Sequence, residues 1–323
     1  MNPILAEILR GRAVESYHRG AFAVANAEGE ILHSQGDINR NIFPRSAIKA
    51  FQCVPLIESG AADRFCFADE DIALACSSHI GEAEHVRVAA SMLEKAGIDE
   101  AAYECGSHWP ERMIDRSALI KAAQLPRAIH NNCSGKHAGM LALAKHLGAP
   151  LQDYVKREHP VQKAVATAVD HYCRVETANA PWGIDGCSVP TWAMPLTHLA
   201  QGFARLFAPG NTTGQRIAKA AAAHPFLIAG TDKFDSRIMQ AVPRLFIKVG
   251  AEGVYCGAIP HASLGFALKI DDGATRGAEV AVADMLSKLD CWNSKEVATL
   301  KSFSHATMTN WRKLEVGETR SSF

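Results

Sequence analysis

The sequence predicts an α+β protein in which one antiparallel sheet takes strands from both ends of the chain and packs with a helical region. Strand-like runs lie near the N-terminus and again after Arg244, and helical periodicity fills most of the chain between them. All 323 residues read as one unit, with a mixed sheet from about 1–45 and 240–323 and a mainly helical part over about 46–240.

Taken in order, Ala21–Ser34 alternates apolar and polar residues around Ala27-Glu28-Gly29-Glu30, the pattern of a β-hairpin. From Pro44 to Gly60 the spacing turns helical. Proline suits the first turn, Ile48, Phe51, Val54 and Leu56 supply a partial apolar face, Pro55 kinks or shortens the helix, and Gly60 ends it. Further helices follow from Ala83, Val86, Ala90 and Leu93, from Val161, Val165, Ala168 and Tyr172, and from Leu196, Leu199, Phe203 and Leu206. Strands are expected at Leu245–Val249, Val254–Ile259 and Leu264–Ile270, then a last helix over about Arg276–Leu289. Ala208–Gly214 is a loop, and no repeat, low-complexity tract or long linker interrupts the chain.

Composition narrows the class of partner. Apolar residues make up 48% and charged residues 21%, as in ordinary globular domains. Lysine plus arginine equals aspartate plus glutamate at 34 each, so no net field draws the protein to nucleic acid or an anionic membrane. Met1–Arg12 lacks a basic start followed by an apolar run, and no stretch approaches the roughly 18 apolar residues of a membrane span. The expected compartment is the cytoplasm. Nine cysteines, an odd number scattered from Cys53 to Cys291, do not form a disulfide framework and are expected to be mostly buried thiols.

Ser46-Ala47-Ile48-Lys49 fits S-x-x-K, a spacing that on a helix puts a lysine amine on the face of a serine hydroxyl. Serine attacks only after a base takes its proton, and lysine is such a base when burial or a second cation lowers its pKa. Ser46 also falls at a predicted helix start, where free amide groups stabilise negative charge. Lys248-Val249-Gly250 ends a predicted strand, like the K-[ST]-G strand of penicillin-binding proteins and β-lactamases, and Lys248 supplies a second cation. Valine replaces the hydroxyl residue of that motif. The competing readings are a capping serine beside a solvated lysine, and an exposed lysine on an edge strand.

A second cluster is richer in ligating groups. Asn131–Met140 puts Cys133, Lys136 and His137 ahead of an apolar helix, and Gly183–Pro190 puts Asp185 and Cys187 in a glycine-rich loop. Cys133 and Cys187 suit a shared zinc ion, and general chemistry favours His137 as the nitrogen ligand, because lysine must first lose its proton. The alternative is two buried thiols and a capping loop. His79, after Cys76-Ser77-Ser78, and His261, after Pro260, are the other histidines of interest, each in a turn or loop.

Read together, Arg45–Lys49, Cys76–Glu82, Asn131–Gly139, Gly183–Pro190, Lys248–Gly253 and the tail Asn310–Glu318 resemble the rhizobial-type L-asparaginases, also called class 3 or the asparaginase II family, over nearly the whole chain. The resemblance implies a fold similar to serine β-lactamases and glutaminases, a single catalytic unit, a homodimer, and hydrolysis of L-asparagine to aspartate and ammonia. It implies Ser46 as nucleophile, Lys49 as its base and Ser78 as a second active-site serine. Arg45, His79 and Lys248 are then placed at the substrate. It further implies zinc held by Cys133, Lys136 and Cys187 to position substrate, in place of the His137 ligation favoured above, with Asp185 and His137 supporting that centre. Related enzymes carry a second lysine where this chain has His261, so Ser78 is expected to have an imidazole partner. Rival readings are a glutaminase or β-lactam hydrolase on the same fold, and a zinc-dependent amino-acid-binding protein.

Overall fold

The computed structural model describes residues 1–323. The chain divides into two compact units: Met1–Ala47 with Met194–Ala208 and Ala241–Phe323, and Ile48–Ala193 with Pro209–Gln240.

The first unit is built on eight strands: β1 Ile4–Arg10, β2 Ala13–Asn26, β3 Ile31–Gln35, β4 Phe246–Gly250, β5 Val254–Ile259, β6 Leu264–Ile270, β7 His305–Thr309 and β8 Glu315–Ser321. They pair antiparallel in the order β7-β8-β1-β2-β6-β5-β4, with β3 also on β2. The two chain ends therefore meet in one sheet, Leu9 opposite Glu318. The expected hairpin forms, with Phe22 opposite Gln35, yet Ala21–Ala25 is buried throughout. Both faces of β2 are covered there, which replaces alternation by a continuous apolar run.

The helix Leu196–Leu206 packs against β2, β5 and β6, burying Leu196, Leu199, Ala200, Phe203 and Leu206. Phe203 and the adjoining Phe207 meet Phe246 of β4 at ring distances of 6.3 and 4.7 Å. Each such side chain contributes about 1.5–3 kcal/mol through burial. The approach is close enough that a Cβ on Gly265 of β6 would fall 2.1 Å from the Ala200 carbonyl oxygen, so this position admits no side chain.

Beyond β6 the chain departs from expectation. The helix spans Thr275–Ser287, and a further helix, Ser294–Ser302, follows. Asn293 caps the latter, its Oδ1 accepting from Glu296 N–H at 2.9 Å while its own N–H donates to the Glu296 carboxylate at 3.0 Å.

The second unit is helical. Lys49–Glu58 follows a 3₁₀ turn at Arg45–Ile48, and it runs through Pro55 to end one turn later. Ser134–His146 is its central helix, buried from Ser134 through Ala144 on all sides. Around it lie Lys49–Glu58, Asp69–Ala75, Ala83–Ala96 and Pro160–Cys173. No helix of the protein is long and apolar enough to cross a membrane.

Candidate active site

The S-x-x-K segment straddles the division of the chain, which falls between Ala47 and Ile48. Ser46 is half-buried on the 3₁₀ turn and follows Arg45, whose φ of 53° lies in the sparsely populated left-handed region. That turn rests on β4: a Cβ on Gly250 would sit 2.2 Å from the Pro44 carbonyl oxygen and 3.1 Å from Ala47 N. The glycine of the K-x-G segment is thus the residue that lets the serine turn close on the strand. Lys248, two residues earlier, shares its side of the strand. Although β4 is an edge strand, Lys248 is fully buried, its Nζ donating to the Val249 carbonyl at 3.0 Å. His261 is exposed on the turn Pro260–Ala262, with Nε2 3.1 Å from the Cys291 carbonyl and its ring edge-on to Trp292.

Within the second unit, the helix Asp69–Ala75 ends at Cys76, and Ser77 folds back on it. Its N–H and hydroxyl both donate to the Leu74 carbonyl, at 3.0 and 2.7 Å. The Ser77 carbonyl is left to accept from Lys49 Nζ, which also reaches Cys133 Sγ at 3.0 Å. Lys49 is wholly buried. The next residue, Ser78, is anchored by N–H donation to the Ile228 carbonyl at 2.9 Å, while its hydroxyl oxygen is buried without a hydrogen-bond partner. An unmet buried hydroxyl costs about 1–3 kcal/mol, and such groups concentrate where function requires them.

His79 is buried, and its backbone N–H donates to the Asn132 carbonyl. Its Nδ1 accepts from Gly81 N–H at 3.1 Å, so the proton resides on Nε2, which donates to Ser134 Oγ at 2.9 Å. Burial, reinforced by neighbouring positive groups, holds its pKa well below the usual range. The ring stays neutral, and both nitrogens are engaged within the protein. It therefore orients Ser134. His85 stacks on it at 4.8 Å and Phe226 on His85 at 4.7 Å, which fixes the plane of the ring.

Glycine again permits the approach that assembles these parts. A Cβ on Gly135 would fall 2.5 Å from the Leu74 carbonyl oxygen, so only glycine brings the central helix against the Ser77 loop. Cys133 precedes that helix, its N–H held by Asn131 Oδ1 at 2.8 Å. A hydrogen bond from Cys187 pulls the Cys133 thiol well below its usual pKa, against the cost of burial and with help from Lys49 and Lys136. The same bond, together with burial, pushes Cys187 up. Lys136 Nζ lies 3.0 Å from Cys187 Sγ; burial opposes its charge, but Cys187 and Cys133 outweigh that and hold its pKa high.

No trio of histidine, cysteine, aspartate and glutamate side chains converges to hold a metal ion. The expected pair of cysteines does converge, with Lys136 between them in charge. Two sulfurs and one amine, buried together, suit a borderline-soft divalent ion once the amine gives up its proton. Asp185 is half-buried, accepts from Gly186 N–H at 2.7 Å and acts electrostatically on Lys136. His137 is fully buried with Nδ1 2.6 Å from Tyr154 Oη. Tyr154 and Ser134 had no sequence signal of their own, although Ser134 lies inside the polar run Asn131–Met140.

Among solved structures, the fold is similar to a β-lactamase from Mycobacterium bovis, with 14% identity and a TM-score of 0.44 over 88% of this chain and 94% of that one. It is also similar to Mglu in its native form in 4.3 M NaCl, with 16% identity and a TM-score of 0.38 over 85% of this chain; it spans 63% of the length of Mglu. A search of curated proteins returns no match. The family model described as L-asparaginase II matches residues 6–321, taking in the serine turn, the Lys49 to Cys133 cluster, the Cys187 loop and the C-terminal strands. The protein belongs to the L-asparaginase II family.

Proposed function

We propose that this amidohydrolase cleaves the side-chain amide of L-asparagine, releasing L-aspartate and ammonia. The observation that carries the reading is Lys49, an amine buried against the carbonyl of Ser77, the residue before the unpartnered Ser78 hydroxyl. A buried amine and, in the same unit, a buried serine hydroxyl without a partner are the kinds of group that serine-lysine amide hydrolysis needs.

In the proposed sequence, Lys49 takes the Oγ proton of Ser46, to which the S-x-x-K spacing assigns it, and the oxygen attacks the amide carbon of asparagine. Collapse breaks the C–N bond, the nitrogen leaves as ammonia with that proton, and water then cleaves the ester to aspartate and free serine. Backbone N–H groups of the serine turn stabilise the oxyanion. Arg45 and Lys248, which share the unit of Ser46, are the cations assigned to the substrate carboxylate. A second reading makes Ser78 the nucleophile, favoured by its unpartnered hydroxyl.

Cys133, Lys136 and Cys187 are proposed to hold one zinc ion, with Asp185 orienting the centre. When bound, zinc supplies an electrophilic site that fixes the substrate. The assembly proposed is a homodimer, which sedimentation of the purified chain tests.

The experiment is ammonia release from L-asparagine and L-glutamine, beside ring opening of a chromogenic β-lactam followed by absorbance, by wild type, Ser46→Ala and Ser78→Ala, with zinc quantified in each preparation. Selective turnover of asparagine that is lost in Ser46→Ala supports the reading. Turnover retained in Ser46→Ala but lost in Ser78→Ala transfers the attack to Ser78, and zinc binding without turnover of any of the three substrates replaces the enzyme with a binding protein.

A further inference from the structure

The helix Met113–Lys121 of the second unit is built the wrong way round for a chain that stands alone. A surface helix turns its apolar stripe to the core and its polar face to water. Here no residue is buried, and the apolar side chains are the outward ones. Met113 is 70% exposed, Ile114 65% and Ile120 58%, with Leu125 at 78% just beyond the last turn. At 3.6 residues per turn, Met113, Ile114, Ser117, Ile120 and Lys121 fall within one arc of about 120°.

The opposite face is mainly polar and holds the helix to its unit. Arg112, just before the first turn, donates to the Glu82 carboxylate and to Thr231 Oγ1 at 3.1 Å. Arg116 donates to the Pro110 carbonyl at 3.3 Å, and Asp115 Oδ2 and Arg116 Nε are buried atoms. The Glu111 N–H donates to the Ile80 carbonyl at 3.0 Å. Polar bonds thus face inward while an apolar stripe meets water, and a nine-residue helix with nothing buried is too short to persist on propensity alone. The stripe is a face for another surface to cover.

Its layout fits a copy of itself. Ser117 lies at the middle of the arc, with Ile114 and Ile120 displaced equally to either side. Two such helices crossing antiparallel about a two-fold axis at Ser117 set Ile114 of one against Ile120 of the other, and the small serine lets the axes approach. The exposed charges agree: Glu111 stands before the helix and Lys121 at its end, so the antiparallel arrangement brings each lysine towards the other copy's glutamate. Four apolar side chains so exposed present on the order of 500 Å², and hiding that area on two chains reaches the roughly 1,000 Å² of a specific interface.

We infer that the exposed face of Met113–Lys121 is the seat of a second copy of this chain, docked antiparallel about a two-fold axis at Ser117. This rests on the homodimer reading given above and assigns it a surface and a register.

The test is analytical ultracentrifugation of the full-length protein across a dilution series. Wild type should be dimeric, and the double variant Ile114→Glu with Ile120→Glu should dissociate at least about a hundredfold more readily, because pairing would bury its carboxylates. Its circular dichroism should match that of wild type, since neither side chain is buried. Ser117→Cys should form a chain-to-chain disulfide under mild oxidation, seen by mass spectrometry as one peptide joined to itself through position 117; wild type oxidised alongside accounts for the native thiols, including the exposed Cys66. A double variant as dimeric as wild type overturns the inference and leaves the homodimer standing, as does a dimer in which Ser117→Cys forms no such link. Wild type that stays monomeric overturns both.

Discussion

The two units of this protein bury very different things. In the sheet unit the interior is almost wholly apolar, and buried polar side chains are few: Asn2, His18, Lys248, Ser287 and Thr319. The helical unit buries Lys49, Ser77, His79, Glu82, His85, Asn131, Ser134, Lys136 and His137 among others. Burying so many polar groups is tolerable only where each has a partner, and most here do. The sheet unit is held by apolar packing, whereas the helical unit spends much of its interior on hydrogen bonds that fix the orientation of reactive groups.

Five substitutions sharpen that contrast. The largest effect is expected from Lys49→Met, which keeps the apolar stem and removes the amine: asparagine turnover should fall by about a thousandfold or more, measured as ammonia release. Next come the paired glycines. Gly265→Ala forces the Leu196–Leu206 helix off β6, and Gly135→Ala forces the central helix off Leu74. Each should lower stability by about 1–3 kcal/mol in urea titrations, the cost of overpacking. Only Gly135→Ala should also depress turnover, because it displaces the Ser77 loop.

Glu82 gives the pH dependence. It is buried and accepts from the N–H and hydroxyl of Thr231, both at 2.8 Å, and from Arg112. Burial opposes its charge, but these partners outweigh it and hold the folded pKa low. Its stabilisation is therefore complete above the unfolded value of about 4.3 and is lost as pH falls through the lower folded value. Urea midpoints between pH 7 and 3 should show Glu82→Gln less stable than wild type at neutral pH but with a shallower decline in acid. The smallest effect belongs to the sheet unit: Asn293→Ala removes a helix cap and should cost about 1 kcal/mol with turnover unchanged.

The sequence made the sheet visible where its strands are apolar. Phe246–Gly250, Val254–Ile259 and Leu264–Ile270 lie within a residue of their expected bounds. It hid the strands that face solvent, since His305–Thr309 is mostly exposed and shows no usable alternation. Ile4–Arg10 escaped for a related reason, its buried positions falling in pairs rather than alternately. The Asn293 and Glu296 capping box was legible but unused. At the site, Cys133 and Cys187 stood out because each belongs to a dense local motif, whereas Lys136 was singled out only through the family resemblance, general chemistry pointing to His137 instead. Tyr154 and Ser134 did not stand out, because what matters in them is a bond to a residue elsewhere in the chain. The burial of Lys248 on an edge strand was equally invisible, since edge position argues for exposure.

The central claim is that Ser46, activated by Lys49, opens the amide of asparagine through an acyl-enzyme. The most direct measurement is rapid acid quench of the enzyme during asparagine turnover, followed by intact-mass and peptide analysis. The account predicts an adduct with the mass of an aspartyl ester on the peptide bearing Ser46, absent from Ser46→Ala. An adduct on the peptide bearing Ser78, with Ser46→Ala still turning over, would contradict it.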